Sequence, residues 1–149
     1  MTPASEPATV TSLPIGSDAD LAWVRHQVRQ FAAELGFGLV QQTKIVTAAS
    51  ELARNTLVHG GGGQARIHPL HNGQARGLQL VFSDTGPGIR DVELAMTDGY
   101  TTGGGLGLGL SGARRLVDEL SVETEPGRGT VVTLVAWVTR ASGVRPGLG

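Results

Sequence analysis

Three stretches of the 149-residue chain combine side chains capable of chemistry with spacings that would gather them. In "VFSDTGPGIR", residues 81–90, an apolar run ends in Asp84, and Gly86 and Gly88 flank Pro87. A carboxylate at a strand end, entering a turn whose glycines let another group approach closely, is an acceptor suited to an N–H donor. The alternative is an exposed acid on a surface turn. In "QQTKIVTAASELARNTLVHG", Glu51, Asn55 and His59 recur every four residues and would line one ridge of a helix. Asparagine is a weak helix former, disfavoured against alanine by roughly 0.5 kcal/mol, while its amide oxygen suits Mg2+. A glutamate one turn earlier could serve as a base. The competing reading is a solvated helix face, and His59 reads best as a C-terminal cap. In "TTGGGLGLGLSGARRL", Gly105, Gly107 and Gly109 alternate with leucines and run into a helix, where free N–H groups can meet phosphate. No strand directly precedes them and no Gly-Lys-Ser/Thr follows, which argues against a Rossmann site and excludes a Walker loop.

These groups need elements to hold them. "TVTSLPI" alternates like a strand, and Pro14 suits it to a sheet edge. Ser17 or Asp18 can cap a helix carrying Leu21, Val24, Val28, Phe31 and Leu35, which Gly36 ends. A second helix should span 39–59 and press Ile45, Ala49, Leu52 and Thr56 on a sheet, stopped by the glycines at 60–63. Strands are expected over 64–70 and 77–84, turning at Asn72-Gly73. Residues 89–105 lack periodicity and suggest a mobile segment. A helix is expected over 107–120, then a hairpin of 121–125 and 130–138 turning at 126–129. Short links between strands favour an α+β fold: a two-layer α/β sandwich with a mixed, mostly antiparallel sheet and helices on one face. Residues 1–7 read as a disordered lead-in, 8–139 as one domain and 140–149 as a disordered tail.

Bulk properties narrow the function. A net charge of -1 and a pI near 6.4 give no general pull toward nucleic acid or anionic membrane. The absence of cysteine excludes disulfides and thiolate chemistry. No apolar run suits a bilayer span and no signal peptide is evident, so a cytoplasmic protein is expected. Glycine, at 23 residues, is well above its usual share of about 7%. Because the glycines cluster, they look placed for local work.

In order, these parts are a helix with Glu-x3-Asn, a strand ending DxGxG, an irregular stretch, GxGxGL at a helix start, and "GRGT" before a strand. The series, over about 8–138, resembles the GHKL superfamily of gyrase, Hsp90 chaperones, histidine kinases and MutL proteins. "ELGFG" at 34–38, "TAASELARN" at 47–55, "DTGPGI" at 84–89 and "DGYTTGGGLGLGL" at 98–110 are similar to the small bacterial serine/threonine kinases of the RsbT type. Those are switch kinases of stress-signalling modules and relatives of the RsbW and SpoIIAB anti-sigma factors. The resemblance implies a Bergerat-type ATP-binding fold that uses ATP and Mg2+. It implies that Asp84 accepts from the adenine amine, with Gly86 and Gly88 leaving room for base and sugar. Asn55 would hold Mg2+, and Glu51 would act as general base. Gly103, Gly104, Gly105, Leu106, Gly107, Leu108 and Gly109 would contact the phosphates, 90–104 would form a lid, and Thr130 would support the adenine site.

The implied substrates are STAS-domain antagonist or scaffold proteins, with a PP2C-type phosphatase as a partner activated by binding. An anti-sigma factor that sequesters a sigma factor is the alternative. No nucleic-acid or membrane partner is implied. An ATPase part of a larger machine is disfavoured because no transducer domain follows residue 138. A histidine kinase is disfavoured because no helical segment offers a phospho-accepting histidine. Lys44, Arg54, Arg90 and Arg114 are candidates for the cation near the γ-phosphate, though a solvated surface suits each of them.

Overall fold

Capping and apolar spacing fix the helical layer. In the computed structural model, which describes residues 10–88, Met96 and 109–139, helix α1 runs Asp18–Leu35. Ser17 is its N-cap: the hydroxyl accepts from the Asp20 amide at 3.2 Å, and the Asp20 carboxylate accepts from the Gly16 amide at 2.8 Å. This reciprocal pair satisfies two backbone donors at the helix start. Gly36, at φ +99°, closes the other end in a left-handed turn. Helix α2 spans Leu39–Val58, with His59 as its C-cap. The expected faces are the buried ones: Val24, Val28 and Leu35 on α1, and Ile45, Ala49, Leu52 and Thr56 on α2. Leu21 and Phe31 pack half-buried against that core.

Among the described residues the sheet has five strands, β1 (Thr11–Ile15), β2 (Gly63–Asn72), β3 (Ala75–Asp84), β4 (Glu119–Glu125) and β5 (Gly129–Trp137), in the order β1-β2-β3-β5-β4. Every pairing is antiparallel, so the described sheet is not mixed but wholly antiparallel. Pro14 lies on β1, at the edge. Rungs alternate in character. Leu13, Ala65, Phe82 and Val132 share one and Ile67, Leu80 and Leu134 another, and all of these join the helices in a single core. The helices therefore cover one face of the sheet, as the two-layer reading requires.

Two boundaries differ from expectation. Asn72 pairs directly with Ala75, so the hairpin turns at Gly73-Gln74, one residue later than Asn72-Gly73. Gly73 carries the positive φ, +65°, and among the described residues no non-glycine residue does, Gln74 included, which is the II′ pattern rather than I′. The helix expected to reach residue 120 is short: α3 spans Gly109–Arg115. Asp118 is drawn into the sheet instead, its amide donating to Val135 O at 3.0 Å and its carboxylate accepting from the Trp137 amide at 2.7 Å. That tertiary pairing starts β4 at Glu119 and outweighs the helical spacing. The lead-in, the tail and, apart from Met96, the lid fall outside the described residues.

Phe82, 1% exposed, lies at the centre of this core. Phe82→Ala should destabilise the fold by about 3–5 kcal/mol and lower Tm by roughly 10 °C, as read by thermal melting in circular dichroism.

Candidate functional site

The ends of α2 and β3 meet through glycine. Beyond Val58 the chain turns back, the His59 and Gly60 amides both donating to Asn55 O at 2.9 and 3.1 Å, and the Gly62 amide to Thr56 O at 2.9 Å. This turn brings Gly60 against Asp84 so closely that a β-carbon at 60 would fall on the Asp84 carboxylate. Gly86 abuts Gly60 in turn, since its β-carbon would lie 2.7 Å from Gly60 O. From β5, Gly129, at φ +115°, presses on the Asp84 carbonyl. Gly60 thus abuts the carboxylate itself, while Gly86 packs on Gly60 and Gly129 on the Asp84 backbone. Its Oδ1 accepts from the Gly86 amide at 2.8 Å, an Asx turn that fixes the side chain. Among the described residues, no hydrogen bond is made to Oδ2.

Asp84 follows the helix-facing rungs of β3, so its side chain enters the cleft between α2 and the sheet. Thr130, buried, stands beside it on β5. The Thr124 hydroxyl donates to Gly129 O at 3.1 Å and lies 3.0 Å from Thr130 Oγ1. Having only one proton, Thr124 accepts there, and Thr130 keeps lone pairs for another donor.

Further up α2, Asn55 and Glu51 are half-buried, while His59 is exposed at the helix end. The Gly109 amide, opening α3 at φ +73°, donates to Glu51 Oε2 at 3.1 Å. One side of α2 therefore carries a carboxylate bonded to Gly109 and, one turn on, an amide, and the turn beyond the helix brings in the glycine that meets Asp84. From Glu51 to Gly60 this line extends roughly 14 Å at helical rise, enough for an elongated ligand.

Of the residues expected at the site, Glu51 and Gly109 are in direct contact, and Asp84, Gly86 and Thr130 adjoin one another at the end of the cleft. Gly88 lies nearby, against the Glu125 carbonyl. The close approaches that require Gly86 and Gly88 are made to other backbone of this chain. Gly103, Gly104, Gly105, Leu106, Gly107, Leu108 and Arg90 are outside the described residues. Lys44 stands elsewhere: it lines a cavity of about 120 Å³ with Arg115, Ala136 and Thr139. Ala136 pairs with Leu78, at the other end of β3 from Asp84, roughly 20 Å along the strand. Arg54 and Arg114 are exposed. Gly60, Gly129 and Thr124 were not singled out for the site. The repeated glycines of 60–63 read as a helix stop, and Gly129 as part of a turn already served by Gly127.

An antiparallel sheet covered on one face, with glycine-rich segments at the ends of α2, β3 and α3, defines a class of nucleotide-binding sandwich. Residues 40–140 match the family described as "Histidine kinase-, DNA gyrase B-, and HSP90-like ATPase", and the chain belongs to that family. Its nucleotide is accordingly ATP. It is 43% identical over 124 residues to the serine/threonine-protein kinase RsbT of Bacillus subtilis, covering 83% of this chain and 93% of that one. It is 32% identical over 123 residues to an anti-sigma F factor of Thermoanaerobacter sp., covering 78% and 85%. A crystal structure of the RsbU and RsbW domains of a Mycobacterium tuberculosis protein superposes with a TM-score of 0.57 at 23% identity, over 89% of this chain and 33% of that one. The SiaB-SiaC complex of Pseudomonas aeruginosa gives 0.52 at 15% identity, over 87% and 89%. These two likenesses show a shared fold. No helix among the described residues is long and apolar enough to cross a membrane.

Gly60→Ala should displace the Asp84 carboxylate and weaken ATP binding by at least about tenfold. Gly61→Ala has open space around it and is strained only by its φ, so it should bind ATP as the parent does. Calorimetric titration of both variants checks the pair; equal affinities would show that the Gly60 contact does not govern the site.

Proposed function

We propose that the chain is an ATP-dependent protein serine/threonine kinase that phosphorylates STAS-domain proteins in a bacterial partner-switching stress module, with a PP2C-type phosphatase as a second partner activated by binding. The observation that carries this reading is the 43% identity to a serine/threonine-protein kinase over 93% of its length, on a chain in which Glu51 meets Gly109 and Asp84 meets Gly86. The anti-sigma factor relatives favour one second reading, in which the chain sequesters a sigma factor and phosphorylates its STAS-domain antagonist. A pull-down that distinguishes sigma factor from phosphatase separates the two.

The donor set fits ATP and Mg2+. Asp84 Oδ2 is open to an N–H, while Oδ1 is held by Gly86, so a purine amine would be recognised and a base with a carbonyl there rejected. The Asn55 side-chain amide makes no hydrogen bond among the described residues, and no group of three His, Cys, Asp or Glu there could hold a metal. Mg2+ commonly takes few protein ligands and completes its shell with phosphate oxygens and water, which one asparagine suits. When bound, the ion neutralises phosphate charge. Thr130 would assist the base, and the glycines from 103 to 109 would offer backbone N–H groups to the phosphates. Phosphoryl transfer depends chiefly on positioning. Glu51 would accept the proton of the substrate hydroxyl as that oxygen bonds to the γ-phosphorus and the bond to ADP breaks. Its contact with the Gly109 amide keeps the base beside the glycine loop.

Asp84→Asn should weaken ATP binding by about 5- to 150-fold, the equivalent of about 1–3 kcal/mol. Calorimetry measures this, and an unchanged Kd would remove Asp84 from adenine recognition. With labelled ATP, Mg2+ and the STAS-domain proteins encoded beside the gene, Asn55→Ala should abolish phosphorylation while preserving the fold. Under the same conditions Glu51→Gln should lower kcat by about 10²–10⁴ with ATP affinity retained, because glutamine still offers an acceptor to Gly109. Unimpaired transfer by either variant would overturn the role assigned to it.

A further inference from the structure

Three polar side chains stand in line across the sheet at the end of the cleft. Phe82 on β3 pairs with Val132 on β5, and Val132 with Val122 on β4; all three belong to the core or pack against it. Side chains two residues apart on a strand share a face. One such step toward the site, the same face therefore carries Asp84, Thr130 and Thr124, with Thr124 paired directly to Thr130.

The hydrogen bonds along this line run in one direction. Gly129 O is a carbonyl and can only accept, so the Thr124 hydroxyl gives it its single proton at 3.1 Å. In the 3.0 Å contact between the two hydroxyls, Thr130 is then the donor. Its proton is turned toward β4, and lone pairs are left on the side of Asp84. Gly88 packs on this relay, since a β-carbon there would lie 3.1 Å from Thr124 Oγ1. The loop that follows Asp84 thus rests directly on the hydroxyl that orients Thr130. Thr130 itself is buried and Thr124 half-buried, so neither hydroxyl turns freely into solvent.

We propose that Thr124 is a positioning residue that sets the choice of nucleotide: by taking the Thr130 proton it holds Thr130 as an acceptor. The inference rests on the assignment of Asp84 to the adenine amine. Position 6 of the purine then meets two acceptors, Asp84 Oδ2 and Thr130 Oγ1. An exocyclic amine has two N–H donors, one for Asp84 and one for Thr130, directly or through a water. A carbonyl at the same position finds acceptors and no donor, and is rejected. Without the Thr124 oxygen, the Thr130 hydroxyl is released to rotate and donate, and a 6-carbonyl purine becomes acceptable. Thr124 touches no part of the nucleotide in this scheme and acts only through Thr130.

The test is calorimetric titration of the full chain, with Mg2+, against ATP and against inosine triphosphate, which carries a carbonyl in place of the amine. Wild type should prefer ATP by at least about 100-fold. Thr124→Val keeps much of the threonine shape and should narrow that preference at least about tenfold, whereas Thr124→Ser, which retains the oxygen, should preserve it. Adding Thr124→Val to Thr130→Val should leave the preference where Thr130→Val alone puts it, because the two residues act as one unit. A merely structural role for Thr124 would weaken both nucleotides equally and leave their ratio unmoved, which overturns the inference. So does a double variant that falls below Thr130→Val alone. Asp84→Asn in the same titrations separates the two readings. If it moves the ratio and Thr124→Val does not, only the role of Thr124 fails; if it changes neither affinity, the adenine assignment fails with it.

Discussion

Everything at the proposed nucleotide site depends on how closely backbone approaches Asp84. Gly60 meets its carboxylate, Gly86 meets Gly60, and Gly129 meets its backbone carbonyl, each so closely that a β-carbon would not fit. The strand end, the α2 turn and the β5 start are thereby fixed relative to one another by backbone packing. A carboxylate held this way has little freedom to reorient, so its open oxygen is already placed when a donor arrives. The glycine content of the chain is, in this region, a packing requirement before it is a ligand requirement.

Helix α2 links that site to the rest of the molecule. One side of it supplies Ile45, Leu52 and Thr56 to the core, and another carries Glu51 and Asn55. Near its start, Gln42 donates to Phe37 O at 2.8 Å and secures the link from α1. Gln41 binds the end of β5 with both ends of its amide, donating to Trp137 O at 3.0 Å and accepting from the Thr139 amide at 3.1 Å. The ridge is thus borne by a helix fastened to the sheet at one end and to the Asp84 turn at the other. Residues that merely point into a cleft would lack that support.

Much of this was legible in the sequence because it rests on local patterns. The 3.6-residue spacing in α1 and α2 and the alternation in β2, β3 and β5 report directly which side chains are buried. Ser17 and Gly36 mark helix ends by mechanisms confined to a few residues. The order of Glu51, Asn55, Asp84 and the glycine run pointed to one family. What escaped depended on distant partners. The helix beyond Arg115 had acceptable spacing, yet Asp118 bonds to β5 residues about twenty positions away and ends it. Gly60 and Gly129 look like ordinary turn residues until the fold presses them on Asp84. Moving the hairpin by one residue from Asn72-Gly73 to Gly73-Gln74 reflects the ladder register, which ten facing pairs set together.

The edge strand β1 has a kinetic consequence. Its partner β2 lies beyond both long helices, with Leu13 facing Ala65, so their pairing closes a loop of about 50 residues. The β2–β3 hairpin closes through two residues and can form early. Leu13 and Ile15 then find their pockets only after α1 and α2 have docked, which makes β1 the last strand to join and the first to be released. The amide protons of Thr11, Ser12, Leu13 and Ile15 should exchange well before those of β3.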